Sequence, residues 1–416
     1  MTKSRLDLDF IRKQYPVFQN PDTASWAMFE NAGGSYVPAQ VIDRLIHFFK
    51  YTKVQPYGLF ESSIEAGHAM DQGYDCMAKL LNADEDDLTL GPSTTHNFYV
   101  MAHAVRPTLK SGDEVIVTNQ DHEANIGCWR RMEEFGVVIK EWQINPNTGE
   151  LSIDDLKNIV SQKTRLICFT LCSNIVGTMN ECDMICDVAH ESGALSIGDG
   201  VSFAPHRILD VNRSGLDLYC FSTYKTFGPH LGVMWGKKDV MESLEFQGHY
   251  FNDTLPHYRF NPTGPLHAEI GALAGIGEYI DEVHTHHFGD QEIGLHEKAV
   301  QVFELFAEHE AKLANQLLDA LRDLNGIEII GQDRASPGLR ASTISIIPTD
   351  GNQVNIVKKL AEQKIAVRNG HFYAYRCVKA LGVENPENGV IRISIVHYNT
   401  EDEVNRLING LQQLID

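Results

Sequence analysis

Two residues near the middle of the chain, Lys225 and Asp199, have the types and the setting for covalent amine chemistry. Lys225 lies in Phe221-Ser222-Thr223-Tyr224-Lys225-Thr226-Phe227-Gly228-Pro229-His230, where an apolar run, Leu216 to Phe221, delivers one lysine onto a Gly-Pro turn. Burial disfavours the ammonium form, so a lysine at such a strand end offers a free amine as nucleophile or base. Asp199 closes a second apolar run, Leu195-Ser196-Ile197-Gly198-Asp199. A lysine beside a loop is, on its own, more often an ordinary surface residue. The pair is another matter, because pyridoxal phosphate needs both: an amine for its aldehyde and an acid for its pyridine nitrogen.

Anion-binding residues accompany them. Gly91-Pro92-Ser93-Thr94-Thr95-His96-Asn97 opens an apolar helical run, Phe98 to Val105. Small hydroxyl residues at a helix start are caps. The same position is an anion site, since the first backbone N–H groups are free and the helix dipole is positive there. On that second reading a cofactor phosphate sits on Thr94, Thr95 and His96, with Ser222 and Tyr224 donating from the lysine loop. Further along, Val390-Ile391-Arg392-Ile393-Ser394 reads as a strand with one arginine inside it. An arginine among apolar neighbours needs an anionic partner. Bidentate binding of an amino-acid carboxylate meets that need, and so does a structural salt bridge. Arg368, in Val367-Arg368-Asn369-Gly370-His371, is a second candidate for the carboxylate.

The elements that must position these residues alternate from about residue 85 to 260. Glu114 to Thr118, Arg165 to Thr170, Ala194 to Ile197 and Leu216 to Phe221 are short apolar runs without clean alternation. Such runs fit strands buried on both faces of a mainly parallel sheet, and the helical patterns between them make an α/β sandwich. Ligands in these sheets bind beyond the carboxyl ends of strands, where both Asp199 and Lys225 fall. A long helical stretch, Gln291 to Leu324, then leads into a smaller α+β domain. The expected division is an N-terminal segment 1–25 packing with the small domain, a large cofactor domain 26–285, and the small domain 286–416.

The order Asp199-Gly200, Ser222-Thr223-Tyr224-Lys225, Gly228-Pro229 resembles the class V aminotransferases, and within them the cysteine desulfurases. The resemblance runs from Phe29-Glu30-Asn31-Ala32-Gly33-Gly34 to His397-Tyr398-Asn399-Thr400 and includes the 26-residue offset from Asp199 to Lys225. It implies the fold type I architecture of PLP-dependent transferases, with a seven-stranded-type, mainly parallel sheet. It also implies a homodimer with active sites at the subunit interface. By the same resemblance, His122 in Asp121-His122-Glu123-Ala124-Asn125 stacks on the pyridine ring and can carry a proton, and Asn174 points at the cofactor hydroxyl. Ser202 stands where the family usually has glutamine. Thr263 lies near the place from which relatives send a threonine to the neighbour's phosphate.

One departure bears on the reaction. Many desulfurases carry Arg-x-Gly-x-His-Cys-Ala, whose cysteine takes sulfur as persulfide. Here the run is Arg368-Asn369-Gly370-His371-Phe372-Tyr373-Ala374, and the phenol of Tyr373 cannot form a persulfide. The run resembles a desulfurase-like branch of the class, which implies that Tyr373 and Phe372 shape the substrate pocket instead. Cys377, four residues on, reads as a packed helix residue. The leading expectation is therefore abstraction of the α-proton of a small amino acid by Lys225, followed by carbon–sulfur β-elimination. Desulfuration through another thiol, transamination, epimerisation and a non-enzymatic PLP-binding role are the alternatives.

Bulk properties bound the rest. The 416 residues include 56 acidic against 35 basic side chains, a net charge of −21, which argues against nucleic acid or an anionic membrane as partner. No apolar run is long enough to span a bilayer, and Met1–Asn20 does not read as a secretory signal, so the expected location is the cytoplasm. The eight cysteines lack zinc-ligand spacing, and no metal is expected. His284-Thr285-His286-His287 is expected to be a solvated loop between helices.

Overall fold

The computed structural model describes residues 5–415; the first four residues of the N-terminal segment lie outside them. Seven strands form the large sheet: β1 (Leu88–Gly91), β2 (Glu114–Thr118), β3 (Val138–Trp142), β4 (Thr164–Thr170), β5 (Leu195–Asp199), β6 (Leu218–Ser222) and β7 (Gly232–Gly236). Their order is β1-β7-β6-β5-β4-β2-β3. Strands β6, β5, β4, β2 and β3 pair in parallel, and only β7 runs against its neighbours β1 and β6. This is the expected mainly parallel, fold type I sheet.

Alternate residues of each strand enter different cores. Val115, Val117, Leu166, Cys168, Leu218 and Cys220 pack on one face, against helices Thr94–Val105 and Glu123–Arg130. Ile116, Ile167, Phe169, Tyr219 and Phe221 pack on the other, against helices Glu61–Leu81, Cys182–Glu191 and Ala274–Phe288. Burial on both faces explains why the strands read as unbroken apolar runs.

A four-stranded antiparallel sheet follows in the order Arg368–Gly370, Val390–Ser394, Thr343–Pro348, Ile327–Ile330. Its core joins Ile344, Ile346, Ile391 and Ile393 to Leu360, Val404 and Leu407. The helix Leu295–Arg322 begins beyond the expected boundary near residue 286. Its first half, Ala299 to Phe306, lies in a core of the large sheet, and Leu313 to Leu321 lie in that of the small one. The two cores thus part within one continuous helix. The N-terminal segment touches both bodies: Ile11 and Tyr15 enter the large core, while Arg12 pairs with Glu403 at 2.9 Å on the C-terminal helix.

One expectation is corrected. His284 to His287 form the last turn of helix Ala274–Phe288 rather than a loop. His284 is buried, and His286 stacks on Phe10 at 3.8 Å and meets Asp7 at 3.0 Å. Ile276, Ile280 and Val283 carry the apolar face through this turn, and that periodicity outweighs the polar run.

Among the described residues no three His, Cys, Asp or Glu side chains are grouped to hold a metal. No described helix is long and apolar enough to cross a membrane.

Candidate active site

The carboxyl ends of β1, β5 and β6 and the loops after β2 and β4 meet in one cavity. It is lined by Ser93, Thr94, Thr95, His122, Ala124, Thr170, Asn174, Asp199, Val201, Ser202, Ser222, Tyr224, Lys225 and His230. Of the expected residues, Thr94, Thr95, His122, Asn174, Asp199, Ser202, Ser222, Tyr224 and Lys225 are therefore brought together. Thr263 is exposed, and neither it nor His96 lines the cavity; the Nε2 of His96 is buried without a hydrogen-bond partner.

Lys225 ends a single 3-10 turn, Thr223–Lys225, directly after β6. Thr223 holds that turn: its Oγ1 donates to the Pro229 carbonyl at 2.5 Å, and its own carbonyl accepts from the Gly228 amide at 2.9 Å. Phe227 takes a left-handed φ of 63°, and its amide donates to Ser35 Oγ at 3.0 Å. The strain of a non-glycine residue there is tolerated because both ends of the loop are tied. Lys225 is 5% exposed. Burial, helped by the positive charge of Arg392, lowers its amine to about 8, against the opposing pull of Asp199 and Glu30.

Asp199 is buried, and its Oδ1 accepts from the Val201 amide at 2.8 Å. Among the described residues it forms no ion pair, and burial raises it to about 6. A buried carboxylate open to a cavity fits a ligand that brings a proton-bearing nitrogen. Across the cavity, Ser93 caps helix Thr94–Val105 by accepting from the His96 amide at 3.1 Å. The first-turn N–H groups of such a helix have no partner within it. Thr94 Oγ1 lies 2.6 Å from Ser222 Oγ, joining that helix to the lysine loop. Any side chain at Gly232 would collide with the backbone of Ser93 and Thr94, so the glycine lets this anion site close against β7. Acid at one end, N–H groups and hydroxyls at the other and an amine between them suit pyridoxal phosphate.

His122 caps helix Glu123–Arg130, its Nδ1 accepting from the Ala124 amide at 3.0 Å. The neutral ring accordingly carries its hydrogen on Nε2. Burial, with the charges of Lys225 and Arg392, pushes the ring down to about 3. In that neutral form it can stack on a flat ring and donate a hydrogen bond. Beneath it, Asp121 accepts from Asn125 at 2.6 Å and from Thr118 Oγ1, which holds the turn in place.

The Asn174 amide is already engaged: its Nδ2 donates to the Phe372 carbonyl at 3.0 Å. This bond and one from the Glu123 amide to the Tyr373 carbonyl, 2.8 Å, fasten the loop carrying Tyr373 over the cavity. Phe372 and Tyr373 have φ of 48° and 59°. Two consecutive side-chain-bearing residues in the left-handed region are strained by about 1–3 kcal/mol each. Tyr373 is 69% exposed, and its ring centroid lies 5.3 Å from that of His122.

Arg392 has the partner that its burial demanded, and it comes from the chain itself. Its Nη2 lies 3.1 Å from Glu30 Oε1, Phe372 covers the guanidinium at 3.7 Å, and Nε is buried without a partner. Arg368 is 3.6 Å from the same Glu30 oxygen and largely exposed. Glu30 Oε2 has no partner. Sequence reasoning missed Glu30, and also His230 and Ser93. Glu30 is distant from Arg392 in sequence, and the isolated bridge between Glu30 and Ser394, with hydrogen bonds of Ser394 to Phe29, Asn31 and Ala32, brings them together.

The aminotransferase class-V family profile matches residues 27–407. The aminotransferase-like protein FGM3 of Gibberella zeae is 33% identical over 426 residues, with 100% of both chains covered. A probable cysteine desulfurase of Halalkalibacterium halodurans is 28% identical, covering 97% of each chain. The apo cysteine desulfurase of Thermococcus onnurineus superposes with a TM-score of 0.85 at 20% identity, over 100% of this chain and 99% of that one. Family, fold and cavity agree, and the chain belongs to the aminotransferase class-V family of pyridoxal-phosphate-dependent enzymes.

Proposed function

We propose that this enzyme cleaves a β carbon–sulfur bond in cysteine or an S-substituted cysteine, without a persulfide on the protein. The observation that carries the reading is the absence, among the described residues, of any cysteine from the cavity lining. The desulfurase cysteine position holds Tyr373. Cys377 is fully buried, and burial pushes its thiol up to about 12, so it offers no thiolate at neutral pH.

Bound pyridoxal phosphate supplies an aldehyde for the substrate amine and a cationic ring that withdraws electrons from the α-carbon. Asp199 holds the proton on the ring nitrogen. Arg392 orients the α-carboxylate, with exposed Arg368 behind it at the mouth. Lys225 takes the α-proton at Nζ, and departure of the thiolate from the β-carbon leaves a product that hydrolyses to pyruvate and ammonia. His122 covers the ring face and donates from Nε2. Tyr373, on its tethered and strained loop, narrows the mouth above His122. Deamination, transamination and epimerisation share the same first proton transfer, and the missing thiol is what favours elimination over desulfuration.

Incubation of the PLP-loaded protein with L-cysteine and S-substituted cysteines, with alanine and pyruvate both quantified, tests this. Pyruvate with ammonia is expected, and Cys377→Ser is expected to leave the rate and products unchanged. Alanine with protein-bound sulfur would overturn the reading.

The active form is proposed to be a homodimer. Phe49, Tyr51, Leu59 and Phe60 are exposed near helices Ala39–Tyr51 and Glu61–Leu81, as are Tyr250 and Phe251 on the loop that leads to Thr263. A contiguous patch of such side chains marks an association surface, and in a dimer built on one, Thr263 would approach the neighbour's phosphate. Light scattering is expected to give twice the 46.6 kDa chain mass; the single-chain mass at micromolar concentration would refute it. A cytoplasmic setting accords with eight free thiols, and microscopy of a tagged chain checks it.

A further inference from the structure

His230 lines the cofactor cavity, yet it takes no part in the proton transfer or in holding the substrate carboxylate. It follows the Gly228-Pro229 turn and precedes β7, so it stands on the opposite side of the lysine loop from Asp199. In the sheet, β6 separates β7 from β5, where Asp199 ends its strand, while β1 and the Ser93–Thr95 turn adjoin β7. His230 is therefore at the anion end of the cavity.

Its ring is pinned twice. It stacks on the Tyr224 ring with centroids 4.6 Å apart and planes 13° from parallel. Its Nδ1 lies 3.2 Å from the carbonyl oxygen of Pro92, the residue just before the Ser93 cap. A carbonyl only accepts, so Nδ1 carries a hydrogen and donates it. That leaves Nε2 as the uncommitted edge of a residue that lines the cavity together with Ser93, Thr94, Thr95 and Ser222. A merely structural histidine would be held just as firmly, but it would not need to line this cavity. Among the described residues Asp199 is the only carboxylate lining the cavity, and it stands at the other end.

We infer that His230 is a phosphate ligand, completing the site formed by the helix N-terminus and the hydroxyls of Thr94, Thr95 and Ser222. The inference rests on reading the cavity as the pyridoxal phosphate site. Nε2 can donate a hydrogen bond or accept one. One proton lies between Nε2 and a phosphate oxygen, and whichever atom holds it, one charge-assisted hydrogen bond results. The Tyr224 stack and the Pro92 bond fix that edge in advance, so little ordering is needed on binding.

The test compares the affinity of apo protein for pyridoxal phosphate and for pyridoxal, which lacks the phosphate, by quenching of tryptophan fluorescence. His230→Ala is expected to weaken pyridoxal phosphate binding by about tenfold or more, as loss of a hydrogen bond to a charged group does. Pyridoxal affinity should stay unchanged. His230→Gln, whose side-chain amide can donate in place of Nε2, is expected to recover most of the loss, and the ³¹P resonance of bound cofactor should shift in His230→Ala. Equal loss for both ligands, or no loss for either, would overturn the inference while leaving the cofactor reading intact. Failure of the parent protein to bind pyridoxal phosphate would overturn both.

Discussion

Replacing Lys225 by alanine is expected to lower kcat by about a thousandfold or more, the scale of losing a positioned acid–base group, with the circular dichroism of the parent retained. Among the described residues Lys225 is the only amine lining the cavity. Its burial at the end of β6 also sets the pH at which it acts. Held at about 8, roughly a fifth of the apo-enzyme's Lys225 is free amine at pH 7.4, against about a thousandth for an unperturbed lysine. The amine is the deprotonated form, so a lowered value moves reactivity toward neutral pH. The rate at which apo protein captures pyridoxal phosphate should rise through about pH 8 and level off above it. A rate still climbing beyond pH 10 would mean that the amine is neither desolvated nor assisted by Arg392.

Arg392→Ala is the second large effect, and it has two parts. Truncation leaves Glu30 buried without its closest partner, and breaking a buried pair in this way costs about 3–5 kcal/mol of stability. It also removes the guanidinium proposed to hold the substrate carboxylate, so KM should rise by about a hundredfold, as expected for loss of a charge-assisted contact. The double variant Glu30→Ala with Arg392→Ala separates the parts. Removing both members of a buried pair is often close to neutral for stability, so the midpoint of thermal unfolding should largely recover while KM stays high. Recovery of KM along with stability would reduce Arg392 to a structural role.

The contrast between these residues shows what a linear chain can convey. Lys225 and Asp199 were legible because each ends an apolar run, and the carboxyl ends of parallel strands are where such a sheet binds ligands. Thr94 and Thr95 were legible because helix starts have a local signature. The strands themselves announced burial on both faces by lacking alternation, and both cores of the large sheet bear this out. In each case the information lies within a few consecutive residues.

Arg392 marks the limit. Its need for an anion could be read from its apolar neighbours, but the identity of that anion could not, because Glu30 arrives from the other end of the chain. The same holds for His122, whose place over the ring followed from its motif. Its neutral state follows instead from burial and from two cations delivered by β6 and the small sheet. His284 to His287 were misread because a polar run resembles a loop until the rest of its helix is seen. By itself, then, the sequence determined the family, the mainly parallel sheet, the cofactor and the lysine that serves it, since these rest on local pattern and strand ends. Tertiary structure alone decided which charges face one another, which rings stay neutral and which thiols are out of reach, because desolvation and Coulomb energies depend on distances that the order of residues does not record.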